Sequence, residues 1–248
     1  MRLLFVQTVA VTAALTLGAC TAEESDAPNT SATTAGLLSG TPRGASTLMG
    51  DPNLPQDAGQ TIDLETLGYD RGDPESPVRM LEMSDYGCGY CRKFHLETFP
   101  ILLSEFVETG KVEWKFMPFV TGMFDNSLVA TEAAECALDQ SREVFAELNE
   151  RLWVDQSAWK SSGEPEVVVR TMADDAGVDL GEFDVCLADD RRIDRIAAAT
   201  ALAQRAGVRG TPTFYIMGYP PLQGALPTES FVQVLTQVHA EAIQGGGS

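Results

Sequence analysis

Apolar and polar positions divide the chain into a leader, a polar stretch and a long patterned region. Leu3 to Leu17 is an apolar run behind Met1-Arg2. From Thr21 to about Gln60, Thr, Ser, Ala, Gly, Pro and acids dominate without a sustained apolar period, the pattern of a flexible tether. Thr61-Ile-Asp-Leu-Glu-Thr-Leu67 then alternates and predicts a first strand, with a turn through Gly72-Asp73-Pro74. Val78-Arg-Met-Leu-Glu-Met83 predicts a central strand, and residues 91–108 a helix kinked by Pro100. Lys111 to Met117 alternates as a half-buried strand does.

Residues 125–205 turn helical, with helices predicted near 126–139, 141–154, 164–176, 180–188 and 190–206. Phe145, Trp153 and Trp159 have spacings that fit core packing. Gly207 to Met217 returns to strand, opened by Pro212 where proline is tolerated. The bond before Pro212 is a candidate for the cis isomer, with an ordinary trans turn as the alternative. Leu222 to Ala225 predicts a short last strand and Glu229 to Ala240 a closing amphipathic helix. Strand, strand, helix, strand, then a helical block and a return to strand, describes an α/β fold with a helical insertion at about 125–190.

A length of 248 residues fits one domain with an insertion. The net charge of −19 argues against nucleic acid or an anionic membrane surface as electrostatic partners. The basic start, the apolar run and Gly18-Ala19 describe an export signal, with a run too short and too Thr-interrupted to span a membrane. Leu17-Gly18-Ala19-Cys20 resembles the lipobox of bacterial lipoproteins, which implies removal of residues 1–19 and a lipid anchor on Cys20. Residues 20–60 would then tether a catalytic domain, 61–245, with a root-mean-square span of about 35 Å.

The chemistry concentrates in Met83-Ser-Asp-Tyr-Gly-Cys-Gly-Tyr-Cys-Arg-Lys-Phe-His95. Cys88 falls in a turn at the start of the predicted helix, where unpaired backbone N–H groups and the helix dipole favour a thiolate. That makes its sulfur a nucleophile and a good leaving group at neutral pH. Cys91 is one turn on, placed to attack a mixed disulfide formed on Cys88. A structural zinc site needs four ligands, yet Cys136 and Cys186 stand singly and only His95 and His239 supply imidazole. The pair therefore reads as a dithiol/disulfide redox site that needs no metal and no cofactor. Of the five cysteines, Cys136 and Cys186 remain, and two readings fit them. In an oxidising compartment they form one structural disulfide; otherwise they are buried thiols.

With Cys-Gly-Tyr-Cys after a strand, a helical block, and Gly210-Thr-Pro-Thr-Phe214 before another strand, the chain resembles the DsbA-like thiol:disulfide oxidoreductases, in particular an exported bacterial branch with a second disulfide. The likeness runs from about Thr61 to Ala240. It implies a thioredoxin fold with an inserted helical subdomain, Cys88 as exposed nucleophile and Cys91 as buried resolving thiol. It also implies a cis-proline loop at Thr211 and Pro212 that pairs with substrate backbone, and a second disulfide between Cys136 and Cys186. Glu82, six residues before Cys88, stands where such enzymes often keep a buried acid that exchanges a proton with the resolving cysteine. The alternative is a surface strand residue, which the alternation with Leu81 and Met83 does not settle. His95 reads as a packing or surface residue. The dipeptide Gly89-Tyr90 departs from the Pro-His of oxidising members and the Gly-Pro of reducing ones, so it leaves the redox direction open.

The resulting expectation is a lipid-anchored, monomeric, extracytoplasmic enzyme of the cell envelope or periplasm. It would donate the Cys88–Cys91 disulfide to unfolded exported proteins and be reoxidised by a membrane or soluble partner. Its rivals are a reductase or isomerase with the same site, and a non-enzymatic envelope lipoprotein that carries copper or zinc on the cysteine pair.

Overall fold

The computed structural model describes residues 64–245. The expected export signal, Cys20 and the tether lie outside the described residues. A five-stranded sheet has the order β1-β3-β2-β4-β5, built from β1 (Tyr69–Arg71), β2 (Val78–Ser84), β3 (Val112–Pro118), β4 (Thr213–Ile216) and β5 (Leu222–Gln223). β2 runs parallel to β3, while the β1–β3, β2–β4 and β4–β5 pairs are antiparallel. The central β2 is covered on both faces, which is why its apolar residues run on without clean alternation.

The first strand is not where alternation predicted it. Leu64–Thr66 is a 3-10 turn, and the strand is the later Tyr69–Arg71. Leu64 and Leu67 are three residues apart and both enter the core, the spacing of a 3-10 turn and not of a pleated strand.

The chain leaves β2 into a helical run from α1 (Gly89–Lys93) through a π-turn (Phe94–Thr98) to α2 (Phe99–Leu102), closed by a second π-turn (Leu103–Val107). The predicted kink at Pro100 takes this form. Pro100 lacks an N–H and its ring crowds the carbonyl four residues back. The backbone widens just ahead of it, and the Phe99 N–H bonds to the Phe94 carbonyl.

Between β3 and β4 lie α3 (Ser127–Gln140), α4 (Arg142–Val154), α5 (Gln156–Lys160), α6 (Pro165–Asp175), α7 (Leu180–Ala188) and α8 (Ile193–Arg205), and α9 (Thr228–Gly245) closes the fold. The short α5 is the one helix the sequence pattern missed. Ser141 caps α4 by accepting from the Val144 N–H, and Asp179 caps α7 through Gly181 and Glu182. Cys136 on α3 and Cys186 on α7 form a disulfide with Cα atoms 5.9 Å apart, as expected.

Three apolar clusters hold this together. The helical run from Phe94 to Val107 and α9 pack on one sheet face, through Phe94, Trp114, Phe214 and Phe231. On the opposite face α8 meets Leu81, Met83, Met117 and Tyr215. The helices α3 to α7 form their own core around Leu148, Trp153, Trp159 and Phe183, and it reaches Tyr86, Cys88, Cys91 and Phe116. The insertion thus shares its core with the cysteine turn.

Candidate active site

β2 delivers its C-terminal end beneath the first helical turn, and strand periodicity decides what faces it. Val78, Met80, Glu82 and Ser84 alternate onto the face covered by the helical run. Asp85 then shapes the turn. Its carboxylate accepts from the Gly87 N–H at 2.9 Å, while the Cys88 N–H bonds the Asp85 carbonyl at 2.9 Å. The same carboxylate takes the Thr121 N–H and hydroxyl, each at 2.8 Å, and the Ser127 hydroxyl. A buried acid thereby fastens the turn to the loop after β3 and to the start of α3. An Asp two residues before a glycine is a turn signal the sequence does carry.

Cys88 is the residue that precedes the first helical turn, and its own side chain caps nothing there. The amides of Tyr90 and Cys91 in that turn favour the ionised form of its sulfur. The adjacent Cys91, with smaller help from Thr211 and those amides, outweighs burial and brings the Cys88 thiol down to about 6. Cys91 is fully buried, and its thiol is pushed well above the ordinary range by burial and then by the adjacent Cys88. The pair is in the dithiol form.

The Thr211–Pro212 peptide is cis, and the Cys88 thiol donates to the Thr211 carbonyl at 3.4 Å across 123 residues of sequence. The two motifs are therefore one site. Cys88 itself is not the exposed residue that the family likeness implies: it is 4 % exposed, because Thr211 and the core of the insertion close over it. Tyr90, between the cysteines, is 70 % exposed.

Glu82 is fully buried, so it is no surface strand residue. Its Oε1 is 2.7 Å from His95 Nε2 and also accepts from the Ser84 hydroxyl, and its Oε2 accepts from the Trp114 indole N–H at 3.0 Å. The Ser84 hydroxyl and the Asp85 amide, in turn, act on Cys91 and favour its ionised form, against the larger effect of burial. Glu82 therefore communicates with Cys91 through Ser84. His95 is buried as well, stacked on Trp153 with ring centroids 4.3 Å apart. Ser84 and Trp114 carried no sequence signal for a role beneath the cysteines, because only strand register brings them there.

Residues 67–235 match a family model described as Thioredoxin. Over 148 residues the chain is 31% identical to the Na(+)/H(+) antiporter NhaA 3 of Salinispora tropica, covering 60% of this chain and 21% of that protein. It thus spans about a fifth of the antiporter's length. A Bacillus cereus protein named "Probable disulfide bond formation protein D" is 23% identical over 168 residues, covering 67% of this chain and 77% of that one. The crystal structure of Wolbachia pipientis alpha-DsbA1 superimposes with a TM-score of 0.64 at 22% identity, over 71% of this chain and 92% of that one. That last likeness is one of fold.

Proposed function

The chain belongs to the thioredoxin family, and from that premise we propose that it is an extracytoplasmic thiol:disulfide oxidoreductase that donates disulfides to exported proteins. The observation that carries this reading is the asymmetry of the pair: Cys88 lies beside the cis-proline loop with its thiol drawn down to about 6, while Cys91 is sealed beneath it with its thiol pushed up by burial. The name of the Bacillus cereus relative, a disulfide bond formation protein, supports the same direction.

In the oxidised enzyme a substrate thiolate attacks the Cys88 sulfur. The Cys88–Cys91 bond breaks, and Cys91 leaves and takes up a proton. A second substrate thiolate then attacks the substrate sulfur of the mixed disulfide, and Cys88 departs as thiolate. The substrate has lost two electrons, and the enzyme holds them as a dithiol until an envelope oxidant, itself a disulfide or a quinone-linked partner, removes them. The low value for Cys88 favours its departure, since a low-pKa thiol leaves faster. Thr211 and Pro212 offer main chain beside the sulfur for substrate backbone to pair with. Glu82 exchanges this proton with Cys91 by way of Ser84, supplying it as Cys91 leaves and taking it back when the dithiol is reoxidised.

The lipobox-like Leu17 to Cys20 supports attachment to the membrane by lipid on Cys20, with the polar stretch that follows as a tether. We read the catalytic unit as a monomer in the periplasm or cell envelope, recycled by a redox partner there.

The test is the reduction potential of the Cys88–Cys91 couple against glutathione. A value of about −120 to −180 mV is expected of a disulfide donor, whereas one near about −270 mV would replace this reading with that of a reductase.

A further inference from the structure

Three consecutive carbonyls of the cysteine turn are held by one short helix of the insertion. The Gln156 side-chain amide donates to the carbonyls of Tyr86 at 2.6 Å and Cys88 at 3.0 Å. Lys160, one turn later on α5, donates its ammonium to the Gly87 carbonyl between them at 2.5 Å. Gln156 is buried, so its bonds are shielded from competing water. Beside them, the Arg92 guanidinium, next to Cys91, donates to the carbonyls of Trp153 at 2.8 Å and Val154 at 3.0 Å at the end of α4.

The helix that grips the turn is itself fixed. Asn126 donates its amide to the carbonyls of Trp159, Lys160 and Ser162, at 3.0 to 3.1 Å, which ties down the C-terminal end of α5. The Trp159 ring is buried in the core of the insertion and its N–H bonds the Leu152 carbonyl at 2.9 Å. A rigid element therefore holds the carbonyl side of every peptide plane from Tyr86 to Cys88.

We propose that Gln156 and Lys160 are positioning residues for the reaction, drawing the turn carbonyls toward α5 so that the Cys88 sulfur meets the amides of Tyr90 and Cys91. Each peptide group is a dipole, so a carbonyl turned toward a thiolate opposes the charge and one turned away leaves it to the N–H groups. Released from α5, the Tyr86 and Gly87 carbonyls can rotate toward the sulfur, while the Cys88 carbonyl keeps the Arg92 N–H at 3.0 Å. The insertion then has a chemical role besides covering the site: it sets how readily Cys88 ionises and leaves. This rests on the reading of Cys88 as the attacking and leaving thiol.

The experiment uses the full chain and four proteins: wild type, Gln156→Leu, Lys160→Met and Lys160→Gln. Two quantities are read on each. One is the pH profile of Cys88 alkylation by iodoacetamide, followed by mass spectrometry; the other is the equilibrium constant with glutathione. Gln156→Leu and Lys160→Met should raise the alkylation midpoint by about 0.5 to 1 pH unit. They should also make the disulfide less oxidising by about three- to tenfold in that constant. Lys160→Gln keeps a donor without the charge and should restore most of both.

Profiles and constants equal to wild type, with only the melting temperature lowered, would overturn the proposal and leave α5 a structural prop. Lys160→Gln behaving like Lys160→Met would assign the effect to charge and overturn the positioning role of Lys160. Should Gln156→Leu fail to fold, the half-buried Lys160 decides by the same two readouts. A wild-type protein in which Cys88 neither alkylates preferentially nor exchanges with glutathione would sink the oxidoreductase reading itself, a result separable from the others.

Discussion

The carboxylate of Glu82 and the imidazole of His95 meet at 2.7 Å, both buried below the cysteine turn. The same carboxylate accepts the Trp114 indole N–H and the Ser84 hydroxyl, so one acid satisfies three buried groups and touches Cys91 through the last of them. Structure and proton transfer are thus carried by one side chain, and two substitutions separate them. Glu82→Ala leaves those groups without an acceptor and should cost about 3–5 kcal/mol, read from denaturant unfolding. Glu82→Gln keeps one acceptor oxygen and should cost about 1–2 kcal/mol, yet it removes the base. Its defect should appear in the rate at which Cys91 resolves a mixed disulfide on Cys88. An unchanged rate in Glu82→Gln would end the proton role.

Cys88 gives the reduced protein a pH dependence of stability whose sign follows from its low value. A thiol that ionises at about 6 when folded and near about 8.5 when unfolded favours the folded state above the unfolded value. That contribution declines as pH falls and is lost below the folded value. Cys91, raised by burial, acts in the opposite sense: it opposes folding only where an unfolded thiol would ionise. Between about pH 6 and 8.5, the reduced wild type should therefore gain stability over reduced Cys88→Ser as pH rises. Urea unfolding across that window tests it, and parallel curves for the two proteins would contradict the low value. At pH 7 about nine-tenths of Cys88 should already be thiolate, visible as thiolate absorbance that Cys88→Ser lacks.

How much of this was legible beforehand depends on the range of the interaction that decides it. The cysteine pair and the proline loop were readable because each is a local string whose chemistry is set by its own neighbours. Most insertion helices were readable too, since apolar period and caps such as Asp179 are local. The first strand was misread because Leu64 and Leu67 answer to the core and not to a pleat. His95 looked like packing, and it does pack, on Trp153; its bond to Glu82 needed the register of β2 against the helix. Gln156 and Lys160 carried no signal, because their partners are backbone carbonyls about seventy residues away. Backbone acceptors leave no residue type to recognise.

The disulfide between Cys136 and Cys186 closes a span of 50 residues wholly within the insertion. Replacing both with alanine should lower stability by about 3–4 kcal/mol, chiefly by freeing the unfolded chain. Because α3 and α7 also share a packed core, the double variant should still fold at room temperature with an active Cys88–Cys91 pair. Urea unfolding beside a disulfide-exchange assay checks both halves, and loss of exchange in a folded variant would show that this crosslink reaches the site.

Gly87 gives the sharpest test of the turn itself. A Cβ added there would lie 2.3 Å from the Cβ of Phe124 and 3.3 Å from that of Ser127, so the loop ahead of α3 packs directly on the glycine. Neither neighbour can yield cheaply: Phe124 would have to move by its own Cβ, and Ser127 is tied to Asp85. Gly87→Ala should therefore push the loop from the turn and strain the bonds from Asp85 to Gly87 and Thr121, costing about 1–3 kcal/mol. Gly89, two residues on, has nothing within 4 Å of such an atom, so Gly89→Ala should leave stability close to wild type. The two alanines differ only in what the turn packs against. Equal unfolding midpoints for both would mean that the contact between Gly87 and Phe124 does not hold the turn in solution.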